Sequence, residues 1–502
     1  MPVEPPVREA FIEKYLALAE QIDPIKCVGH ICKVQGLLLE SRGPQAIIGE
    51  VCRIETLSKS PGGSRAVYAE VVGLRDETAQ LMAYGETRGI QVGDRVIASG
   101  NTLEVAVSPA LLGRVLNSMG RPVDGRGEVE SALRYPVMAG APDPLKRKRI
   151  TARITTGVRA LDGLLTAGRG QRIGIFSGSG VGKSTLLGMI ARNTNADVNV
   201  IALIGERGRE VKDFIENDLG PEGLARSVVI VSPSNSPPLA RLRGAYTATA
   251  VAEYFRDQGK DVMLLFDSIT RFARAQREIG LAAGEPPATR GYTPSVFDSM
   301  PKLLERSGAS DKGTITGFYT ILVDGDDMDE PVSDTVRGIL DGHIVLSRRY
   351  AQANHYPAID VLGSISRLMP LVAGPVTKKV AGYIRRLMAV YAEAEDLINV
   401  GAYHAGSNPA IDDAIAKREA IEAFLIQSVD ERSTLKETLL AMAAIAEMEI
   451  PAEEMEGFPE ARRGENRGSR KGDVEIAGPV SAASPGAPGQ SRLSALLDTR
   501  RR

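Results

Sequence analysis

An α/β fold is what this sequence predicts: a parallel-sheet core between a small N-terminal β-barrel and a C-terminal helical domain. Three changes of texture predict it. Short β-rich runs broken by turns fill about residues 25–98, and apolar strands alternate with helix-length segments over 170–350. An Ala-, Leu-, Glu- and Arg-rich stretch, with few glycines after Pro409, covers 380–455. At 502 residues, 43% of them hydrophobic, the chain has length for about three domains with substantial cores.

In chain order, residues 1–24 read as an amphipathic helix, with Phe11, Tyr15, Leu18 and Ile22 at helical spacing. It would pack on the next domain or dock a partner helix. Residues 25–98 hold CVGHICKVQGLLLE, QAIIGEVCRI, AVYAEVVGL and RVIAS between turns such as SKSPGGS, the pattern of a small barrel. Its three cysteines, Cys27, Cys32 and Cys52, match no standard zinc spacing even with His30. They are expected to be small buried hydrophobes.

Residues 99–379 form the central core of the reading. The stretch LLGRVLNSMGRPVDGRG connects, and the basic run Lys146–Arg149 reads as a solvated linker. QRIGIFSG, NVIALIGE, SVVIVSPS, DVMLLFD, ITGFYTILV and GHIVLS are continuous apolar runs, as strands buried on both faces of a parallel sheet require. The acidic segment Asp324, Asp326, Asp327, Asp329 reads as a solvated turn or a pore-facing rim. Residues 380–455 form the helical domain. Residues 456–502, rich in Gly, Pro, Ser and charge, read as a disordered tail.

Bulk properties exclude several functions. A net charge of −2 points to neither nucleic acid nor a membrane surface. No apolar run approaches the ~20 residues of a membrane span. MPVEPPVREAF has neither the basic nor the apolar region of a secretory signal, so a cytoplasmic location is expected.

The chemistry concentrates in Gly178, Ser179, Gly180, Val181, Gly182, Lys183, Ser184 and Thr185, which follow the strand RIGIF and precede a helix. In that context the segment is a phosphate-binding P-loop. Its backbone N–H groups and the helix N-terminus would cradle phosphates, with Lys183 reaching the β- and γ-phosphates. The Ser184 hydroxyl would bind Mg2+. One departure is Ser177, where the motif's first glycine is usual. Two acids end other apolar strands: Asp267 after VMLLF and Glu206 after VIALIG. The C-terminal edge of a parallel sheet faces the ligand crevice. There Asp267 would hold a magnesium-bound water, and Glu206 could orient the attacking water. No second cation for the phosphates is evident from within residues 170–350.

GSGVGKST, IGERGREV, LLFDSITRFARAQREIG, GFYTILVDGDDMDEP, ILDGHIVLSRR and NHYPAIDVLGSISR together resemble the rotary ATPase superfamily over about residues 20–440. Within it they resemble the type III protein-export ATPases, flagellar and virulence-associated. The segment IDPIKCVGHICKVQGLLLES and the SISR segment look more flagellar. The resemblance implies a RecA-like P-loop core that hydrolyses ATP with Mg2+ as a homohexamer. It also implies the energising of flagellar protein export. The implied partners are a stator or regulator protein, export gate and stalk proteins, and export substrates with their chaperones. Nucleic acid is not among them, and the location would be peripheral at the inner face of the cell membrane.

The same resemblance assigns roles. Glu206 matches the glutamate that polarises water, Arg207 a γ-phosphate contact, and Glu210 and Asp267 acids that bind magnesium through water. Arg271 matches an arginine near the phosphates, Tyr356 the aromatic that stacks on adenine, and Arg367 the arginine finger given to a neighbour. AYHAGSNPAIDDAI stands where a rotary β subunit carries an acidic lever run, which disfavours that subunit. LFDSITRFARAQ also resembles a Rho-type RNA translocase, but the barrel segment lacks the aromatic and basic platform that single strands require. A non-catalytic rotary subunit is disfavoured by the presence of Lys183, Glu206 and Asp267 together.

Overall fold

The structure is a computed structural model, and it describes residues 27–56, 66–323, 325 and 327–455. The helix expected over 1–24, the turn SKSPGGS, the tail expected over 456–502, and Asp324 and Asp326 lie outside the described residues.

Six strands close a barrel in the order β1-β2-β5-β4-β3-β6: β1 Val28–Gln35, β2 Leu38–Arg42, β3 Glu50–Glu55, β4 Ala66–Arg75, β5 Thr78–Ala83 and β6 Arg95–Thr102. Alternation along each strand turns Ile31, Leu39, Ile54, Val71, Leu81 and Val96 into one small core. Cys52 is buried in it, but Cys27 and Cys32 are exposed, which corrects the expectation for those two cysteines. The reason is register. Ile31 points inward, so His30 and Cys32 on either side point outward, while Cys27 stands one residue ahead of β1.

Beyond the barrel, β7 (Glu104–Ala106) pairs with β9 (Arg134–Pro136), and β8 (Val115–Leu116) lies between them in sequence. Part of the expected connecting stretch is therefore a strand: β8 joins the edge of the central sheet, parallel to β14. A short ribbon of β10 (Arg153–Ile154) and β11 (Ala167–Gly168) precedes the core strands. These are β12 Arg172–Ser177, β13 Val198–Ile204, β14 Ser227–Ser232, β15 Asp261–Asp267, β16 Gly308–Ala309, β17 Thr314–Leu322, β18 Gly342–Leu346 and β19 Ile359–Ser366. The sheet runs β19-β18-β12-β17-β15-β13-β14-β8 and is parallel except for β19; the short β16 pairs antiparallel with β17 off this path.

The apolar runs follow from two-sided burial. Every residue of β13 and β14 is buried. Along β13, Val198, Val200, Ala202 and Ile204 join one apolar cluster while Ile201 and Leu203 join the other. Helices α1 (Lys183–Asn193), α2 (Gly208–Asp213), α3 (Pro238–Asp257) and α4 (Ile269–Ala282) stand among the crossovers. The last domain contains α5 (Pro375–Asn399), α6 (Pro409–Leu425) and α7 (Leu435–Ala446), the last opened by a Thr434–Glu437 capping box. Glu454 reaches back from the far end of the domain to the start of α5, accepting from the Val376 and Thr377 amides at 3.1 and 2.8 Å.

The basic run is less free than a solvated linker. Arg147 is half-buried and donates to the Ser307 carbonyl at 2.8 Å, while Lys148 and Arg149 are exposed. In the acidic segment, Asp327 pairs with Arg290 and Asp329 with Arg337.

Barrel and core are joined by a buried charge pair. Arg243 of α3 donates from Nε to both Glu70 oxygens, at 3.1 and 2.9 Å, and Tyr84 Oη donates to the same carboxylate at 2.5 Å. The guanidinium of Arg121 lies 4.4 Å over the Tyr68 ring beside it. Removing one member of such a pair strands a buried charge, which costs about 3–5 kcal/mol. Arg243→Met should therefore lower the stability of the barrel–core unit by about that much, read as an earlier denaturant midpoint. A midpoint matching wild type would show that the pair holds nothing.

Candidate functional site

The loop between β12 and α1 begins where Ser177 ends its strand. Gly180 and Gly182 have φ of 76° and 91°, left-handed values that glycine adopts without strain. The resulting concavity presents successive N–H groups in the way anion-binding nests do. Val181 is buried and anchors the loop to the apolar core. A Cβ on Gly182 would lie 3.4 Å from the Tyr356 ring, so the aromatic rests against the loop itself. Tyr356 remains 39% exposed, with a free surface for a stacking partner. Ser177 is buried and its hydroxyl has no hydrogen-bond partner, so the departure from glycine disturbs no bonded network.

Lys183 opens α1 and points across the ends of neighbouring strands. Its Nζ donates to Asp267 Oδ1 at the end of β15 and lies 3.3 Å from Glu206 Oε1, just past β13. Thr320 Oγ1, on the intervening β17, donates to the same Asp267 oxygen at 2.8 Å. Arg271 of α4 brings Nη2 to 4.0 Å from Glu206 Oε2. This supplies a second cation from within residues 170–350, against the expectation that none was evident. Arg271 can approach because residue 205 is glycine: at φ 75°, a Cβ there would meet the Arg271 Cβ at 2.8 Å.

The cluster is nearly dry, with Glu206 7% and Asp267 2% exposed. Burial works against the Lys183 charge, but Asp267 and then Glu206 outweigh it, so the ammonium is held above the ordinary lysine range. Burial pushes the Asp267 carboxyl up, and the Glu206 charge adds to that. Two carboxylates thus share one buried ammonium, a setting that welcomes further positive charge.

The structure brings Lys183, Glu206, Asp267, Arg271, Tyr356 and the Gly178–Thr185 loop to one edge of the sheet. It does not bring Arg207 and Glu210 into the charge cluster. They pair with each other at 3.1 Å on the exposed start of α2. Arg367 lies at the opposite edge. Ser366 pairs with Gly342 at the start of β18, and the Arg367 amide donates to the Asp341 carbonyl at 3.1 Å. Sequence reasoning missed Thr320, whose only signal was a hydroxyl one strand-turn from the end of β17. It also missed Gln427, whose main-chain N–H donates to the Tyr356 carbonyl at 2.9 Å and ties the backbone of the aromatic to the helical domain.

Comparison with known proteins agrees with this geometry. The nucleotide-binding domain of the ATP synthase alpha/beta family matches residues 157–366, its beta-barrel domain residues 31–100, and the C-terminal domain of the type III secretion ATPase EscN residues 374–444. The flagellum-specific ATP synthase of Treponema pallidum is 59% identical over 87% of this chain and 97% of its own. The type 3 secretion system ATPase of Xanthomonas euvesicatoria is 52% identical over 75% of this chain and 85% of its own. Among solved structures, the assembled ATPase EscN of the enteropathogenic E. coli type III secretion system superposes with a TM-score of 0.78. It is 43% identical and covers 83% of this chain and 100% of its own. With barrel, nucleotide-binding domain and helical domain all matched, the chain belongs to the ATP synthase alpha/beta family and, within it, to the flagellum-specific and type III secretion ATPases.

Proposed function

We propose that this chain hydrolyses MgATP as a homohexameric motor and so energises the export of flagellar proteins through a type III secretion apparatus. The observation that carries the reading is Lys183 held between Asp267 and Glu206 at the mouth of the phosphate loop. The loop amides and Lys183 bind the β- and γ-phosphates, and Tyr356 offers its exposed ring to the adenine. Glu206 orients a water in line with the bond to be broken. The bond from the γ-phosphorus to the bridging oxygen breaks as the water oxygen bonds to phosphorus. Arg271 steadies the Glu206 carboxylate and the charge beside it.

The donor set fits Mg2+, since Asp267 and the Ser184 hydroxyl on the first turn of α1 are hard oxygen ligands. Glu210 would join them only by leaving Arg207. When bound, the ion neutralises charge on the phosphate oxygens.

Arg367 and the hexamer belong together. The phosphate loop leaves β12 after Ser177, whereas Arg367 is tied through Asp341 to Arg172 at the start of that strand. Five strand steps separate the two edges by about 17 Å, farther than an arginine side chain extends. Arg367 is exposed and makes no ion pair among the described residues. It therefore serves a neighbour's phosphates rather than its own.

Relatives support the coupled work. The Treponema protein bears the flagellum-specific name, and a further EscN structure holds that ATPase in complex with its central stalk EscO. By the same analogy this ring takes a stalk protein. A stator or regulator, the export gate, and substrates with chaperones complete the partner set. Among the described residues no helix is long and apolar enough to cross a membrane; in this reading the ring sits at the inner face of the cell membrane through its export-apparatus partners. The described barrel residues include two aromatics, Tyr68 and Tyr84, and both face the join with the core. That leaves single-stranded RNA no stacking platform there and favours a protein cargo.

Glu206→Gln should bind ATP with little change yet turn over about 10²–10⁴-fold more slowly. Single-turnover and binding measurements on the same protein separate the two, and turnover within a factor of two of wild type would remove Glu206 from the mechanism. Arg367→Ala should bind nucleotide but lose about 10³–10⁵ in rate, or roughly 4–7 kcal/mol of transition-state stabilisation. Mixed rings with Lys183→Ala should regain activity, because an intact loop then meets an intact Arg367 across an interface. Demonstrated mixed rings no faster than the sum of the two variants would refute action in trans. Thr320→Val should lower the rate about tenfold while the fold stays intact, since Asp267 loses one hydrogen bond of ordinary strength. An unchanged rate would show that Lys183 alone positions Asp267.

A further inference from the structure

At the strand-start edge of the sheet, away from the phosphate loop, lies a cavity of about 1370 Å³. Asp261 and Thr314, the first residues of β15 and β17, form part of its wall, and the start of α5 and residues 451–455 form another part. The cations Lys148, Arg149, Arg153, Arg169 and Lys312 line it, together with the carboxylates of Asp261, Glu453 and Glu454.

The cations are unevenly satisfied. Arg169 pairs with Asp261. Among the described residues, Lys148, Arg149, Arg153 and Lys312 have no ion pair. Arg153 is the informative one. It is 7% exposed, and Nε, Nη1 and Nη2 are all buried without a hydrogen-bond partner. The carboxylates whose charge it feels, Asp162 and Glu454, direct their oxygens elsewhere. Asp162 accepts from the Thr156 amide and hydroxyl and the Gly157 amide; Glu454 accepts from Val376 and Thr377. Burial lowers the Arg153 pKa, with Asp162 and Glu454 opposing.

A buried guanidinium with every donor idle is unusual, because such groups are retained where something accepts from them. The planar fork of arginine matches phosphate in particular, bonding two oxygens at once. Five cations against three carboxylates leave the lining net positive by two charges, which a single carboxylate would balance only in part, whereas a diphosphate carries enough charge to meet them. The volume exceeds that of most small-ligand clefts, so size excludes neither a free diphosphate nor a nucleotide.

We infer that this cavity is a second anion site, in which Arg153, with Lys148, Arg149 and Lys312, binds the diphosphate group of a small phosphorylated ligand. It is separate from the ATP site, which lies past the other ends of the same strands.

The test is isothermal titration calorimetry of inorganic pyrophosphate into the full-length Lys183→Ala chain, where the phosphate loop has lost its cation. One site per chain is expected. Adding Arg153→Gln should weaken it at least tenfold. Because Arg153 is buried, a second variant adds Arg149→Ala and Lys312→Ala instead; both side chains are exposed, so the fold is retained and a similar loss is expected. ATP is titrated in parallel, since a free diphosphate and a nucleotide carry the same group. Dependence of either ligand on Arg149 and Lys312 supports the site. Absence of binding, or binding of both ligands untouched by the exposed pair of substitutions, overturns it.

Discussion

One ammonium and two carboxylates kept together almost without water set the terms for the rest of the molecule. Lys183 comes from the loop after β12, Glu206 from the end of β13 and Asp267 from the end of β15. They meet because those strands run parallel and end at one edge, in the order β12-β17-β15-β13. Parallel neighbours require long crossovers, and the crossover helices cover both faces of the sheet. The strands between must then be apolar on both sides, which is why β13 reads Val-Asn-Val-Ile-Ala-Leu-Ile with its one polar residue, Asn199, bonded to the Ala191 carbonyl. The strand that separates β12 from β15 supplies Thr320, so even the spacer in the sheet contributes a donor to the cluster.

Two-sided burial is also why so much of the core could be read from sequence. A strand covered on both faces leaves a continuous apolar run, and each of the six runs singled out became a strand of the central sheet. The phosphate loop was legible because its chemistry is local: glycines at the left-handed positions, then lysine, within a few residues. What escaped depends on partners distant in sequence. Cys32 faces outward because it alternates with the inward Ile31, and Cys27 because it stands ahead of β1, neither of which composition records. Val115–Leu116 became an edge strand because β14 offers it a free flank. Arg147 is tied down by the Ser307 carbonyl, and α5 is capped by Glu454 from about eighty residues away. Thr320 looked like any strand threonine until the fold set it beside Asp267.

Family resemblance and residue-level reading differ most over α2. Arg207 and Glu210 sit near Glu206 in sequence, but the left-handed turn at Gly205 and the start of a new helix send them to the surface, where they satisfy each other. Proximity in sequence to a strand end is thus a weaker guide than position at the strand end itself. Glu206, immediately after the turn, stays in the crevice.

The opposite edge of the sheet carries its own charges, and a ligand crevice at the strand ends does not account for them. Arg367 is anchored there by its amide on Asp341, which in turn holds Arg172 at the first residue of β12 through main-chain and side-chain contacts. The backbone beneath Arg367 is therefore fixed while its side chain is exposed. The same β12 ends in the phosphate loop. One six-residue strand consequently links the edge where a subunit holds its own nucleotide to the edge that offers an arginine outward. Strands packed on both faces move as rigid bodies rather than stretch.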